Sequence, residues 1–302
     1  MAELFDSSYG KANVKFLKVR KDAHDPNIQD VLEANVQVLL RGKFETSYTK
    51  ADNSSVVPTD TVKNTILVEA KNNNVWPIES FAAHLAKHFT SKYEQVEGAE
   101  VYIVQAKWTK IKLEGRDHPH SFKHEGPETR QTFLTYDSLT KKLTLSSSIK
   151  DLTVLKSTGS MFYGYNVCDY TTLQPTEDRI LSTDVSSTWT FDPKQVSSLE
   201  YIMKNGQVFD RAYNEARGVT LELFCKENSP SVQATMYNMC EKILANVKQI
   251  ATVTYVLPNK HYILFNLEWK GIKDNKELFY PSSDPNGLIK CTVGRKGEKS
   301  KL

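Results

Sequence analysis

The sequence has little of what several common classes of protein depend on. Its four cysteines form no CxxC pair and lack the spacing of a zinc site, which favours free thiols in a reducing compartment over a disulfide framework. No apolar run approaches the roughly 18 residues of a membrane span, and the N-terminus is charged where a signal peptide would be apolar. We therefore expect an intracellular protein with no membrane partner.

Charge of one sign is also scarce, since the net charge is only +3 and the basic residues are dispersed. This excludes the clustered basic surface typical of nucleic-acid binding. No GxGxxG opens a helix, and the glycines at 159 and 164 are followed by Tyr165-Asn166 where a phosphate loop needs Lys-Ser/Thr. No nucleotide or dinucleotide cofactor is expected.

What is present is a pattern of elements that occurs twice. Alternating apolar residues predict strands at residues 14–19, 35–40, 65–68, 99–112, 143–155, 250–256 and 262–269. Helical spacing predicts helices at 77–89, 210–224 and 230–247, and polar composition predicts loops at 46–64 and 117–124. Thr183-Asp184 in the second half corresponds to Thr59-Asp60 in the first, and Trp269 corresponds to Trp108. We therefore predict an α+β fold of two tandem antiparallel units, residues 1–142 and 143–302.

Asn259 and His261 form the first candidate site, at the start of the strand predicted for 262–269, one face of which is expected to be buried. Residues two apart face the same side of an extended chain. An imidazole at that place can move a proton near neutral pH. The alternative is a hydrogen-bonded histidine at the end of a strand.

The helix expected to begin at Ser229-Pro230 is a second candidate, with serine as N-cap and proline at its first position. Its first turn would offer free N–H groups to an anion. Gln233 projects from this turn with a donor and an acceptor that suit the edge of a planar heterocycle. An ordinary capped helix is the alternative.

Arg179 and Phe162 complete the candidates for a planar ligand. Arg179 can grip an anionic ring with its guanidinium, or it can pair with Glu177 or Asp178. Phe162 can stack on a purine, or it can serve in plain packing.

Two sets of histidines invite a metal hypothesis: His118, His120 and His124, and the helical i, i+4 pair His84 and His88. Neither set has a convincing further ligand. We expect a solvated loop and a helix surface, and no metal.

The chain ends in Ser300-Lys301-Leu302, which matches the C-terminal peroxisomal address. Such a tail is read by an import receptor. We therefore expect the protein in peroxisomes, a compartment that favours oxidases producing hydrogen peroxide.

Eight blocks of sequence together resemble one family over nearly the whole chain and in the family's order. They are Tyr9-Gly10-Lys11, residues 46–53, residues 58–65, residues 155–158, residues 178–184, Ser231-Val232-Gln233-Ala234-Thr235-Met236, residues 257–262 and residues 284–291. The family is urate oxidase (uricase), and the resemblance is to its yeast or fungal type.

The resemblance implies a tandem tunnelling fold (T-fold), in which sheets from two subunits close into a barrel and two such dimers form a homotetramer. It implies oxidation of urate by dioxygen and water to 5-hydroxyisourate and hydrogen peroxide, without a metal or flavin cofactor. The alternatives are a zinc-dependent T-fold purine or pterin enzyme, such as a cyclohydrolase, and a non-catalytic purine-binding relative.

The resemblance also assigns roles to residues of this chain. Lys11, Thr59 and His261 match a catalytic proton relay, and Asn259 with Thr59 matches the pair that holds dioxygen or water. The substrate contacts include Thr59 and Asn259 again, together with Asp60, Phe162, Leu173, Arg179, Val232, Gln233 and Ile289. By the family pattern Lys11, Thr59 and Asp60 come from a neighbouring subunit.

Overall fold

The computed structural model describes residues 2–295, which form eight strands and six α-helices. The first half of the chain contains β1 (Tyr9–Lys21), β2 (Gln29–Gly42), α1 (Glu45–Thr49), α2 (Thr59–Asn72), α3 (Ile78–Lys92), β3 (Val96–Leu113) and β4 (Arg116–Asp137). The second contains β5 (Leu143–Lys156), β6 (Leu181–Phe191), α4 (Leu199–Lys204), α5 (Gly206–Lys226), α6 (Val232–Asn246), β7 (Ile250–Leu264) and β8 (Phe279–Gly294). Two strands, three helices and two strands thus occur twice.

The strands are hydrogen-bonded in sequence order, β1 to β8, in one sheet. The pairs β1–β2, β2–β3, β3–β4 and β7–β8 are antiparallel. The predicted α+β class is confirmed. None of the helices in residues 2–295 is long and apolar enough to cross a membrane.

Packing divides the chain into two compact units that differ from the two halves of the sequence. The first unit comprises Met1–Ile149, Trp189–Tyr213 and Gln249–Ala251, and the second comprises Lys150–Thr188, Asn214–Lys248 and Thr252–Leu302. Because these units reflect contacts and a repeat reflects chain order, the boundary between residues 142 and 143 remains a prediction.

The core of the first unit lies between its helices and one face of its strands. Along β2 every second side chain from Leu32 to Leu40 is buried, as period-2 alternation requires. The face presented by α3 includes Phe81, Leu85 and Phe89, which are fully buried or nearly so.

The second unit has the same construction. In β7, Val253, Tyr255 and Leu257 are buried, and the Tyr255 hydroxyl hydrogen-bonds Thr220 of α5 at 2.5 Å. Asn259 and His261 continue this series of every second residue, so their side chains are on the face of β7 that packs against the helices.

Three predictions in the first half are wrong. The strand expected at residues 65–68 belongs to α2, where Val62, Ile66 and Ala70 form the buried face at helical spacing. The helical spacing of these buried positions outweighs the β-branched run. The loop expected at 46–64 is also shorter than predicted, because α1 ends at Thr49 and α2 begins at Thr59. The loop expected at 117–124 is part of β4, because its backbone pairs with β3, for example at Trp108 and His124.

The ends of the second half also differ from the prediction. The strands expected at 250–256 and 262–269 are one continuous strand, β7, which ends at Leu264. Ile263 and Phe265 are exposed, and Trp269 lies in a short 3₁₀ helix, 77% exposed, so the buried alternation expected there is absent. Trp269 is therefore no counterpart of Trp108, whose ring N–H donates to Glu33 within the sheet.

Candidate active site

Arg179 lies over the ring of Phe162 in the segment that leads into β6. Its guanidinium carbon is 5.2 Å from the centroid of the Phe162 ring. Its backbone N–H donates to the carbonyl of Ser160 at 2.9 Å, and its Nε lies 3.5 Å from the Ser160 hydroxyl. A positive planar group and an aromatic ring are thereby held together.

Asp178 resolves one alternative left by the sequence. Its carboxylate accepts hydrogen bonds from the Thr158 hydroxyl at 2.8 Å and from the Gly159 backbone at 3.0 Å. Among the described residues Arg179 has no acidic partner. Partial burial lowers the pKa of Arg179, but a guanidinium remains charged at neutral pH. An uncompensated, half-buried positive charge favours an anionic ligand.

The Phe162 ring also belongs to a small aromatic group that sequence reasoning missed. It stacks on Tyr165, with centroids 5.1 Å apart and planes 17° from parallel. The Tyr165 hydroxyl donates to the carbonyl of Leu173 at 2.7 Å, which ties Leu173 to the same loop. The aromatic residue three positions after Phe162 was the only signal in the sequence.

The start of α6 lies beside this loop. Met161 N–H donates to the carbonyl of Ser229 at 2.8 Å, and Ser229 N–H donates to the carbonyl of Gly159 at 2.9 Å. The N-cap is Ser231, whose hydroxyl accepts from Ala234 N–H at 3.2 Å. The prediction of Ser229 as N-cap with Pro230 in the first turn is therefore wrong by two residues, because the Ser229 hydroxyl instead bonds Thr235 at 2.8 Å.

The first two N–H groups of α6 remain open. Within residues 2–295 the backbone N–H groups of Val232 and Gln233 have no acceptor, and the Gln233 amide has no hydrogen-bond partner. Val232 is buried whereas Gln233 is exposed. These donors stand at the positive end of the helix dipole, so this end of α6 can bind an anion.

Asn259 in β7 reaches the same neighbourhood as Val232. Both line a small, mainly apolar cavity within the second unit, whose other lining residues are Leu181, Thr183, Val185, Phe224, Thr235, Met239 and Leu257. Gly287 stands opposite Asn259 in β8. A methyl group on Gly287 would lie at an ordinary contact distance, 3.8 Å, from both Asn259 Cβ and Ile289 Cδ1, so Asn259 and Ile289 lie close to the same position of the β8 backbone.

His261 lies two residues beyond Asn259 and is half-buried. It stands within β7 rather than at a strand start, opposite Ser282 of β8. Its imidazole makes no hydrogen bond to another described residue. The alternative of a hydrogen-bonded histidine at a strand end is therefore wrong, and both ring nitrogens are open to a ligand or water.

Lys11, Thr59 and Asp60 form a separate group in the first unit. Lys11 lies in β1, and Thr59 and Asp60 begin α2. The hydrogen bond and charge of Lys63, at 2.5 Å, and the charge of Lys11 hold the pKa of Asp60 below its ordinary value. In the first unit β1 packs against α2, which brings Lys11 near enough for its charge to act on Asp60.

The structure therefore collects the predicted site residues into two groups. Lys11, Thr59 and Asp60 belong to the first unit, whereas the rest belong to the second: Phe162, Leu173, Arg179, Val232, Gln233, Asn259, His261 and Ile289.

The histidines considered for a metal have other contacts. His84 bonds Glu69 at 2.6 Å, and His88 lies 3.5 Å from the same carboxylate. His118 and His120 contact each other edge to face. In residues 2–295 no group of three or more His, Cys, Asp or Glu side chains has the arrangement of a metal site.

Comparison with known proteins gives one answer at the level of family, sequence and structure. The uricase family model matches residues 7–135 and 145–290. The chain is 60% identical over 301 residues to a uricase of Cyberlindnera jadinii, covering 99% of each chain, and 49% identical over 306 residues to a uricase of Aspergillus flavus, covering 100% of each. The crystal structure of uricase from Arthrobacter globiformis is 36% identical, with a TM-score of 0.87 over 100% of this chain and 98% of that one.

Proposed function

Because the chain belongs to the uricase family, we propose that it oxidises urate with dioxygen and water to 5-hydroxyisourate and hydrogen peroxide. The observation that carries this function in the structure is the charged Arg179 over Phe162, next to the open N–H groups of α6. This arrangement offers charge, a ring to stack on and hydrogen-bond donors to a planar anion.

Binding is the task of the second unit. Arg179 and the N–H of Val232 favour the urate anion over neutral purines. The Gln233 amide pairs with adjacent C=O and N–H groups of the ring, and Phe162 stacks on its face. Leu173 and Ile289 form apolar walls. Removal of a further proton makes the ring electron-rich enough to reduce dioxygen, and binding of the anion favours this deprotonated form.

Proton transfer and placement of dioxygen are the tasks of the other residues. His261 accepts a proton through Thr59, and the charge of Lys11 tunes both groups. Asn259 and Thr59 hold water or dioxygen over the ring, which turns encounters into near-unimolecular steps. Asp60 supplies a backbone contact. The reaction needs no metal or other cofactor in this scheme.

The assembly we propose is a homotetramer in which sheets of paired subunits close into a barrel. Lys11, Thr59 and Asp60 of one subunit then complete the site of its neighbour. The support is that these three residues lie in a different unit from the other site residues, together with membership of the family.

Location in peroxisomes is a further part of the proposal. It depends on Ser300-Lys301-Leu302, which lie outside the described residues. An import receptor that reads this tail is the expected partner, and removal of the tail should leave the enzyme active but cytosolic.

The alternatives are less well supported. A zinc-dependent cyclohydrolase-like enzyme and a non-catalytic purine binder are not favoured, since this chain is similar to uricases over almost their whole length.

An oxygen-electrode assay with urate tests the function. The purified protein should consume one dioxygen and release one hydrogen peroxide per urate lost from the ultraviolet spectrum, and a chelator should leave the rate unchanged. Binding of urate without its consumption would refute the oxidase function, and loss of activity with the chelator would refute cofactor-free catalysis.

A further inference from the structure

The pairing of β7 with β8 is interrupted at the candidate site. Asn259 stands opposite Gly287, but His261 stands opposite Ser282. The two β7 residues are two positions apart, whereas their β8 partners are five positions apart, so residues 283–286 have no partner in β7. Lys260, between the two site residues, therefore lacks an opposite residue in β8, so the β8 ladder alone does not fix the backbone that carries Asn259 and His261.

An ion pair on the opposite face of the sheet ties this stretch of β7 to β6. Lys260 Nζ lies 2.7 and 2.6 Å from the two carboxylate oxygens of Asp184. Asp184 also accepts a hydrogen bond of 2.5 Å from the Thr153 hydroxyl of β5. Both charged side chains are only 30% exposed, so the pair is screened less than one at the surface.

The charge state of Asp184 agrees with this contact. Burial opposes its ionisation, but the hydrogen bonds from Lys260 and Thr153 and the charge of Lys260 outweigh burial and lower the pKa of Asp184. The carboxylate is therefore charged at neutral pH.

We propose that the Thr153–Asp184–Lys260 bridge positions Asn259 and His261, so that Lys260 and Asp184 are positioning residues for the reaction. Side chains alternate along a strand, so Lys260 points away from the face that carries Asn259 and His261 and does not touch the substrate there. The bridge fixes the β7 backbone at Lys260, where pairing with β8 is interrupted. This inference rests on the proposed function for its kinetic consequence, but its structural part is independent of that function.

Lys260→Met, Asp184→Asn and Lys260→Arg test the proposal in the full-length protein. Methionine keeps the length of the lysine stem without its charge, whereas arginine restores a donor to Asp184. Lys242→Met is the matched control, because Lys242 bonds Glu222 at 2.7 Å with 37% and 38% exposure, and Lys242 is ten residues along α6 from Val232 and is not a site residue.

The kinetic readout separates positioning from binding and from stability. Because Asn259 and His261 act on dioxygen and the proton, Lys260→Met and Asp184→Asn should lower kcat about tenfold or more. The Kd of urate under nitrogen should stay within about twofold, because its main binding groups are elsewhere. Lys260→Arg should recover most of kcat, and Lys242→Met should resemble the wild type.

Hydrogen exchange provides a readout without catalysis. Amides 259–261 should exchange faster in Lys260→Met and in Asp184→Asn than in the wild type and in Lys242→Met. Unchanged exchange would overturn the proposal, as would a kcat no lower than that of Lys242→Met or a parallel loss of kcat and urate affinity. If the wild type consumes no urate, the proposed function fails and exchange alone decides the role of the bridge. Asp184→Asn decides it if Lys260→Met does not fold.

Discussion

Arg179 combines positive charge with a planar shape, and the two properties can be separated. Lysine at position 179 keeps the charge but loses the fork that binds a planar anion in two places. We expect Arg179→Lys to raise the KM for urate about tenfold with a smaller effect on kcat, because the residue contributes mainly to binding. Steady-state kinetics measures this. A lower kcat at unchanged KM would contradict the assignment.

The thiols of Cys240 and Cys291 lie 3.9 Å apart in the second unit. The hydrogen bond from Cys240 lowers the pKa of Cys291 to about 7, while that contact and burial raise the pKa of Cys240. Since the thiolate is the nucleophile, alkylation of Cys291 by iodoacetamide should rise about tenfold per pH unit below pH 7 and level off above it.

Peptide mapping by mass spectrometry measures this alkylation. Cys240→Ala removes the donor and should move the midpoint for Cys291 to higher pH. An unchanged midpoint would show that Cys240 does not stabilise the thiolate.

Single residues were the most predictable part of the site. Arg179, Phe162 and Gln233 have chemistry that suits a planar anion, and the structure places Arg179 over Phe162 beside the start of α6. Tyr165 and the Lys260–Asp184 pair were missed because their importance lies in a contact between distant segments. Charge and side-chain type alone do not show which carboxylate Lys260 meets.

At the scale of the element, α6 offers a test of its own start. Ser231→Ala removes the hydroxyl that accepts from Ala234 N–H and should lower the free energy of unfolding by about 1 kcal/mol. It should also raise the KM for urate, because the frayed turn carries the N–H of Val232.

Ser198→Ala is the matched control, since Ser198 caps α4 in the same way, at 3.1 Å from Tyr201 N–H. Urea unfolding and kinetics together should show a similar loss of stability with an unchanged KM. Equal KM values in the two variants would argue against a binding role for the start of α6.

A buried arginine, Arg130, connects three elements of the first unit through two ion pairs. Arg130 of β4 bonds Glu79 of α3 at 2.8 Å and Asp210 of α5 at 2.7 Å. Glu79 is fully buried. Arg130→Met should therefore lower the free energy of unfolding by about 3 to 5 kcal/mol, because it leaves Glu79 charged and uncompensated.

Adding Glu79→Gln to Arg130→Met should restore part of that stability, as measured by urea unfolding. Arg41→Met, at a half-exposed ion pair with Glu100, should cost about 1 kcal/mol or less. A similar loss in the two single variants would show that burial does not determine the contribution of Arg130.

Elements were predictable where one period dominates a segment, as in β2 and α3. The strand predicted at residues 65–68 was wrong because this β-branched run is one turn of a helix whose buried positions are 62, 66 and 70. The strand β8 was not predicted, since its segment is polar, mostly exposed and contains Pro281 and Pro285. The strand β8 forms because it pairs with β7, and such pairing depends on residues outside the segment itself.

At the scale of the whole molecule, the order of elements repeats although packing divides the chain differently. A repeat can be recognised along the sequence because each half has its own pattern of strands and helices. The partition into compact units depends on contacts between segments far apart in the chain. The site residues follow this partition, with Lys11, Thr59 and Asp60 in one unit and their proposed partners in the other.

In the proposed assembly a complete site takes Thr59 from one subunit and Arg179 from its neighbour. Thr59→Ala and Arg179→Ala proteins should each have little activity against urate. After they are unfolded, mixed in equal amounts and refolded, random pairing restores an intact site in half of the dimers, once per dimer. The refolded mixture should therefore have about a quarter of the wild-type rate, and a mixture no more active than the average of its two components would rule out a site shared between subunits.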